Sequence, residues 1–257
     1  VFMVIYMKWK IIGKILILDD NACDLSYDEL KELQNRFHVK SIIKVGKIHG
    51  QLRQPSTQIL LGDSTETIHK ENGCYFKLDL SKVMWAKGNT NERLRIAKLV
   101  SDGEVVLDMF AGIGYFSIPI GVHANPKKIY SIELNPNSYK FLKENIEINK
   151  INQKAAYDKI VPICGDCAIE APKYNADRII MGYVKTTHEY LPSAMKALNP
   201  GGIIHYHETV PDKLMYTRPI KRIKEAAKGR DVEVLGITKV KKYSPGVEHV
   251  VVDARIG

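Results

Sequence analysis

Residues 105–121, VVLDMFAGIGYFSIPIG, constrain this chain more than any other stretch. A short apolar run leads into a glycine-rich turn and then into helix-compatible sequence. A buried strand, a tight turn and a helix start make the nucleotide-binding corner of an open α/β sheet. The glycines allow the backbone to turn sharply and to approach a ligand closely.

The corner departs from a dinucleotide site. That fingerprint needs G-x-G-x-x-G, with a pyrophosphate on the helix N-terminus. Here the third glycine position is Ser117, and Asp108 stands just before the turn. A carboxylate there repels a pyrophosphate and suits a ligand with positive charge. S-adenosylmethionine (AdoMet) carries a sulfonium and an ammonium. The next strand pattern ends in Glu133, twenty-one residues after Gly112, where an acid can accept hydrogen bonds from both ribose hydroxyls. A third ends in Gly165-Asp166, where an acid can meet the adenine amino group. Each acid alone could be a solvated loop residue, and Asp108 alone could cap its loop. Three at successive strand ends favour AdoMet over a nicotinamide cofactor.

The surrounding pattern sets the fold class. Residues 105–110, 128–133, 160–164, 178–181 and 203–207 are short apolar runs. Helical stretches at 115–122 and 136–149 separate the first three, and Pro136 suits a first helical turn. Alternating strands and helices imply a mainly parallel, doubly wound sheet. Two strand patterns at 232–243 and 249–256, joined by SPGVE, predict an antiparallel hairpin at the sheet edge. Ahead of this lies a small α+β domain. It has strands at 14–18, 41–45 and 58–61, and an alternating NGCYFKLDL at 72–80. Ser26 with Glu29 makes a capping box for a helix reaching about Phe37. The expected domains are residues 7–80, α+β, and 81–257, a Rossmann-like AdoMet-binding domain of the class I transferase type.

Composition bounds the rest. The 257 residues are 45% hydrophobic and 26% charged, an ordinary globular balance. No apolar run is long enough to span a membrane. The opening VFMVIY is interrupted by Lys8 and Lys10 and lacks the order of a signal peptide; Met3 and Met7 are both candidate starts. Of four cysteines, Cys164 and Cys167 form a lone C-x-x-C, read as a strand end, with a redox pair as the alternative. A reducing cytoplasm is the expected setting. The net charge is +9, and residues 213–242 hold ten Lys or Arg against three Asp or Glu, a balance of +7. That is either a polyanion-binding patch or a solvated helix face.

Four longer stretches are GNTNERLRIAKLVSDGEVVLDMFAGIGYFSIPI, SIELNP, ADRIIMGYV and GGIIHYHETV. From about Met7 to the end, the chain resembles the wybutosine-synthesis protein 2 family of tRNA aminocarboxypropyltransferases. Related tRNA guanine N1-methyltransferases act at the same nucleotide, position 37 beside the anticodon, and share the D-x-F-A-G-x-G corner. They carry an Asn-Leu-Pro type of sequence after the fourth strand, where this chain has Met181-Gly182-Tyr183.

The resemblance implies transfer of the 3-amino-3-carboxypropyl arm of AdoMet to the C7 carbon of 4-demethylwyosine in tRNA(Phe), with methylthioadenosine leaving. The sulfonium is a good leaving group, so no metal is expected. The resemblance places Ala86, Arg93, Asp108, Phe110, Ala111, Gly112, Glu133, Asp166 and Cys167 around the cofactor. Ala86 and Cys167 replace the family's usual Ser and Asn, and each loses a polar side chain. Candidate proton acceptors are His207 and Glu208, with His205 beside them; a structural histidine is the alternative. Tyr115 and Tyr183 are candidates to stack on the target base. Lys221, Arg222 and Lys224, on a helix from Pro219 to Gly229, would meet tRNA phosphates. No membrane and no obligate protein partner are expected. A tRNA guanine N1-methyltransferase and a non-catalytic AdoMet- or RNA-binding module stay open as alternatives.

Overall fold

A computed structural model describes residues 8–19, 25–50, 54–152 and 157–257 of the chain. Cys23 and the candidate starts Met3 and Met7 lie outside the described residues. The chain divides into two compact units, residues 1–86 and 87–257.

In the first unit, β1 (Trp9–Ile12), β2 (Ile15–Asp19), β3 (Ser41–His49) and β4 (Gln54–Leu61) form a sheet in that order. Helix α1 (Tyr27–Phe37) links β2 to β3, which pair in parallel. It starts where the capping box predicts. Ser26 Oγ accepts the Glu29 N–H, and the Glu29 carboxylate accepts the Ser26 N–H at 2.8 Å. Leu30 and Leu33 turn inward onto Leu16, Leu18 and Ile42. Strands β5 (Glu66–Glu71) and β6 (Cys74–Asp79) make a separate hairpin. Its turn has Asn72 and Gly73 at φ 49° and 76°, the left-handed pair that two-residue hairpins need. Neither β1 nor β5 is legible in the sequence. In β1 the apolar run is broken by Lys10, and β5, ETIHKE, fully buries only Thr67.

The second unit begins with α2 (Thr90–Leu99). It continues with β7 (Val105–Asp108), α3 (Ser117–His123), β8 (Lys128–Glu133), α4 (Pro136–Asn152), β9 (Ile160–Cys164), α5 (Cys167–Glu170), β10 (Ala176–Met181) and α6 (Leu191–Ala197). It ends with β11 (Leu198–Pro211), α7 (Arg218–Ala227), β12 (Val232–Ser244) and β13 (Val247–Ile256). The sheet order is β12-β13-β11-β10-β7-β8-β9. The five strands from β11 to β9 are parallel, and β13 is antiparallel to both β11 and β12. This is the Rossmann-like sheet with an antiparallel C-terminal hairpin. Chain order runs outward from β7 in both directions, so the switch point lies between β7 and β10. Ligands of open α/β sheets bind at that crevice.

Two boundaries differ from the sequence pattern for local reasons. β7 stops at Asp108 rather than Phe110, because the Asp108 carboxylate accepts the Phe110 N–H at 3.3 Å and starts a turn. α3 starts at Ser117 rather than Tyr115, because Gly112 and Gly114 hold φ of 59° and 97°. A Cβ on Gly114 would lie 2.5 Å from the Ile118 side chain, so the corner has no room for one. Cys164 ends β9 and Cys167 opens α5, both as free thiols.

Candidate functional site

The strand ends of the second unit bring the expected acids to one side of the sheet. Glu133, the last residue of β8, accepts the Gly112 N–H and the Asn135 N–H, each at 2.7 Å on a different oxygen. Burial pushes its carboxyl up, and these main-chain donors oppose that shift. A carboxylate offers about four acceptor sites, so capacity remains for a ligand hydroxyl. Asp166 caps α5 by accepting the Ala168 N–H at 2.8 Å and is half-buried. Cys167 beside it is buried, and desolvation pushes its thiol up to about 12, so it is no nucleophile.

Asp108 behaves differently from its two companions. It is fully buried, with Ser117 donating to it at 2.7 Å and Ser131 donating to Ser117 at 2.7 Å. Desolvation raises its carboxyl to about 7. It therefore works as the inward anchor of the corner and carries a poised proton near neutrality.

Arg93 is also buried. Its guanidinium lies 5.2 Å over the Tyr115 ring. The same ring covers Gly112, where a Cβ would come within 2.5 Å of it. Arg93, Tyr115 and Gly112 are thus packed as one stack at the corner. Ala111 is buried and donates its N–H to Ile132 O at 2.9 Å, tying the turn to β8. Ala86 is the last residue of the first unit and is half-buried.

An aromatic wall stands at the ends of β7 and β10. Phe110 stacks on Tyr183 with centroids 5.2 Å apart, and Tyr190 meets Phe110 edge-on at 5.1 Å. Tyr190 was not legible in the sequence. It precedes a short helix and belongs to no periodic pattern. Burial raises its phenol, and the charges of Cys167 and Asp166 add to this, which sets it beside the Asp166 end of the crevice. Gly182 has its own reason to be glycine: a Cβ there would lie 2.6 Å from the Phe116 ring.

The candidate proton acceptors fall into three environments. His205 Nε2 faces Arg178 Nη1 at 2.7 Å, and its Nδ1 faces Asp253 at 2.6 Å. Arginine only donates, so Nε2 accepts and the ring is a neutral structural link. Glu208 is buried and engaged on both oxygens. One oxygen takes Arg218 at 2.7 Å and Arg222 at 2.6 Å, and the other takes the Tyr206 hydroxyl at 2.8 Å. His207 is buried against Phe116 and bonded through Nδ1 to His249 at 3.0 Å. Desolvation and the neighbouring histidine hold it well below the ordinary range, so it is neutral.

Arg222 requires a correction. The sequence assigned it to the exposed face of α7, but it is half-buried on Glu208. A buried carboxylate must be paired, and Arg218 and Arg222, one turn apart, supply the pairing. Arg230 is likewise internal, donating to carbonyls of Met195, Leu198 and Gly257. The lysines remain outside: Lys213, Lys221, Lys224, Lys228, Lys239 and Lys242 are exposed. Among the described residues, no group of three or more His, Cys, Asp or Glu is placed to hold a metal, and no helix is long and apolar enough to cross a membrane.

The sequence profile of the TRM5/TYW2 methyltransferase domain matches residues 67–235. The chain belongs to the TRM5/TYW2 family. It is 46% identical over 252 residues to a Methanocaldococcus jannaschii protein named tRNA(Phe) (4-demethylwyosine(37)-C(7)) aminocarboxypropyltransferase, covering 97% of this chain and 98% of that one. It is 39% identical over 223 residues to the Pyrococcus abyssi tRNA (guanine(37)-N(1))-methyltransferase Trm5b, covering 85% of this chain and 64% of that protein. Among solved structures, Pyrococcus horikoshii TYW2 in complex with MeSAdo superposes with a TM-score of 0.81 at 38% identity, covering 97% of this chain and 90% of that one. Methanocaldococcus jannaschii TYW2, solved in complex with AdoMet, superposes with a TM-score of 0.79 at 41% identity, covering 97% of this chain and 99% of that one.

The arrangement generates two predictions. Glu133→Ala, which would remove the proposed ribose acceptor, is expected to weaken AdoMet binding by roughly 1.5–3 kcal/mol. Calorimetry on the folded variant reads this, and unchanged affinity would place the ribose elsewhere. The raised carboxyl of Asp108 contributes stability below its unfolded value of 3.8 and loses it as pH rises through about 7. Asp108→Asn stays neutral, so its stability relative to the parent should climb across that window, by up to roughly 4 kcal/mol. Urea unfolding at several pH values measures the gap; a gap independent of pH would show that Asp108 titrates ordinarily.

Proposed function

We propose that this chain transfers the 3-amino-3-carboxypropyl group of AdoMet to the C7 carbon of 4-demethylwyosine at position 37 of tRNA(Phe), releasing methylthioadenosine. It is an AdoMet-dependent tRNA aminocarboxypropyltransferase of wybutosine synthesis, working in the cytoplasm. The observation that carries the choice is the wall after β10. Met181-Gly182-Tyr183 stands where the related methyltransferases carry an Asn-Leu-Pro type of sequence, and its Tyr183 stacks on Phe110. That wall offers π-surface for a tricyclic base and no amide or carboxylate for a guanine N–H. The whole-length similarity to an aminocarboxypropyltransferase supports the same reading.

In this reading Glu133 holds the ribose, Asp166 meets the adenine, and Arg93 over Tyr115 pins the methionine arm. Bound AdoMet supplies an electrophilic carbon next to its sulfonium. The protein's contribution is orientation: the methionine-arm carbon faces the base and the methyl is turned away. A proton must leave the base carbon. His207, whose Nε2 meets no hydrogen-bond partner among the described residues, is the candidate acceptor, whereas Glu208 and His205 have acceptor atoms engaged by arginines. The lysines of residues 213–242 supply sequence-independent phosphate contacts to the anticodon region of tRNA.

Two experiments test this. The reaction is run on modified tRNA with AdoMet labelled separately in its methyl and its carboxyl carbon. Carboxyl label in tRNA and methylthioadenosine in solution are expected. Methyl label in tRNA with S-adenosylhomocysteine released would identify a methyltransferase instead, and no turnover would identify a binding module. Replacing Lys221, Lys224 and Lys228 with Ala should flatten the log–log salt dependence of tRNA affinity by up to roughly 2 units of slope. A parental slope would remove this face from the tRNA contact.

A further inference from the structure

A chain of buried and half-buried charged groups runs behind the crevice, and the chemistry above does not use it. Arg95, on α2, forks onto Glu92 through Nε at 2.7 Å and Nη2 at 2.8 Å. The same guanidinium forks onto Asp253 of β13 through Nη1 at 2.6 Å and Nη2 at 3.2 Å. Asp253 accepts from His205 of β11 at 2.6 Å, and His205 accepts from Arg178 of β10 at 2.7 Å. Arg178 ends the chain in a fork onto Glu104, at 2.6 and 2.9 Å. The His205 tautomer is fixed by its neighbours. Nε2 must accept from arginine, so Nδ1–H donates to Asp253. Each acceptor in the line therefore has a designated donor, and Asp253 is held well below the usual carboxylate range by His205 and Arg95.

The chain terminates on the helix that carries Arg93. Ile96 and Ala97 bury that helix against the core, and the fork onto Asp253 adds a directional tie to the sheet. Asn89, its N-cap, makes no side-chain capping bond. Arg93 is two residues from Arg95 and next to Glu92, so any rotation or slide of α2 that breaks the fork onto Asp253 also moves the guanidinium off Tyr115. A bidentate fork defines direction as well as distance.

We propose that Arg95 and Asp253 are positioning residues for co-substrate binding: the fork between them holds α2 in the register that presents Arg93, over Tyr115, to the crevice. The inference rests on the reading that Arg93 meets the methionine arm.

The test is a double-mutant cycle on AdoMet affinity, measured by calorimetry with the full chain. Arg93→Ala and Arg95→Met are each expected to raise the Kd by about tenfold or more. Because Arg95 acts through Arg93, the double variant should match Arg93→Ala within about twofold. Arg95→Lys keeps the charge but cannot fork, and it should weaken AdoMet binding as Arg95→Met does; it also serves if the Met variant does not fold. Asp253→Asn should lie in between. Effects of the two single variants that add in the double would show Arg95 to be structural only and overturn the inference. So would a parental Kd in Arg95→Met and Arg95→Lys alongside a weakened Arg93→Ala. A parental Kd in Arg93→Ala itself would instead overturn the underlying reading of Arg93.

Discussion

The 2.7 Å hydrogen bond from the Gly112 N–H to the Glu133 carboxylate is the contact on which the C-terminal unit's site depends. It joins the glycine corner to the neighbouring strand with a charged acceptor, which is stronger than a neutral bond. It also opposes the upward push that burial gives that carboxyl. Behind it, Ser131, Ser117 and Asp108 form a buried hydroxyl-to-carboxyl chain that ties the same corner to β8 from the other side. The corner is held between two acids with opposite duties. Glu133 faces the crevice, and Asp108 faces the core.

The unit treats its arginines and lysines differently, and this decides what its positive charge can do. Arg95, Arg178, Arg218, Arg222 and Arg230 all donate into carboxylates or main-chain carbonyls. Planar forks with weak hydration suit such half-buried roles. Six lysines of the basic stretch, Lys213, Lys221, Lys224, Lys228, Lys239 and Lys242, are exposed, and Lys241 is half-buried. A surface of mobile point charges binds phosphate backbones without reading sequence, whereas the internal forks set the geometry of the strands and helices beneath. Charge counting sees one basic patch; the structure separates a framework from an interface.

Much of the layout was legible because it follows from local rules. The α1 boundaries come from the Ser26–Glu29 capping box and the length of the apolar pattern. The parallel character of the sheet follows from the alternation of strands and helices, and the β12–β13 hairpin from its Pro-Gly turn. Glu133 and Asp166 could be placed because a residue at the end of a strand has little choice of position. What stayed hidden was relational. β5 has no periodicity because it buries one side chain. Tyr190 joins the aromatic wall through Phe110, eighty positions away in the chain. Arg222 has the look of a solvent-facing residue until Glu208, buried on a different element, claims it.

The sequence by itself determined the fold class, the glycine corner and the acids at the strand ends, and with them the kind of ligand the sheet can take. Periodicity, turn chemistry and spacing act over a few residues, and they are written in the chain. Tertiary structure alone decided which charged groups are free to act. It made Asp108 an inward anchor, paired Glu208 with two arginines, locked His205 into one tautomer and left His207 neutral. The physical reason is that the fate of an ionisable group depends on its desolvation and on the partner it finds. Those partners came from strands and helices as far apart in sequence as Arg95 and Asp253, so no local pattern could announce them.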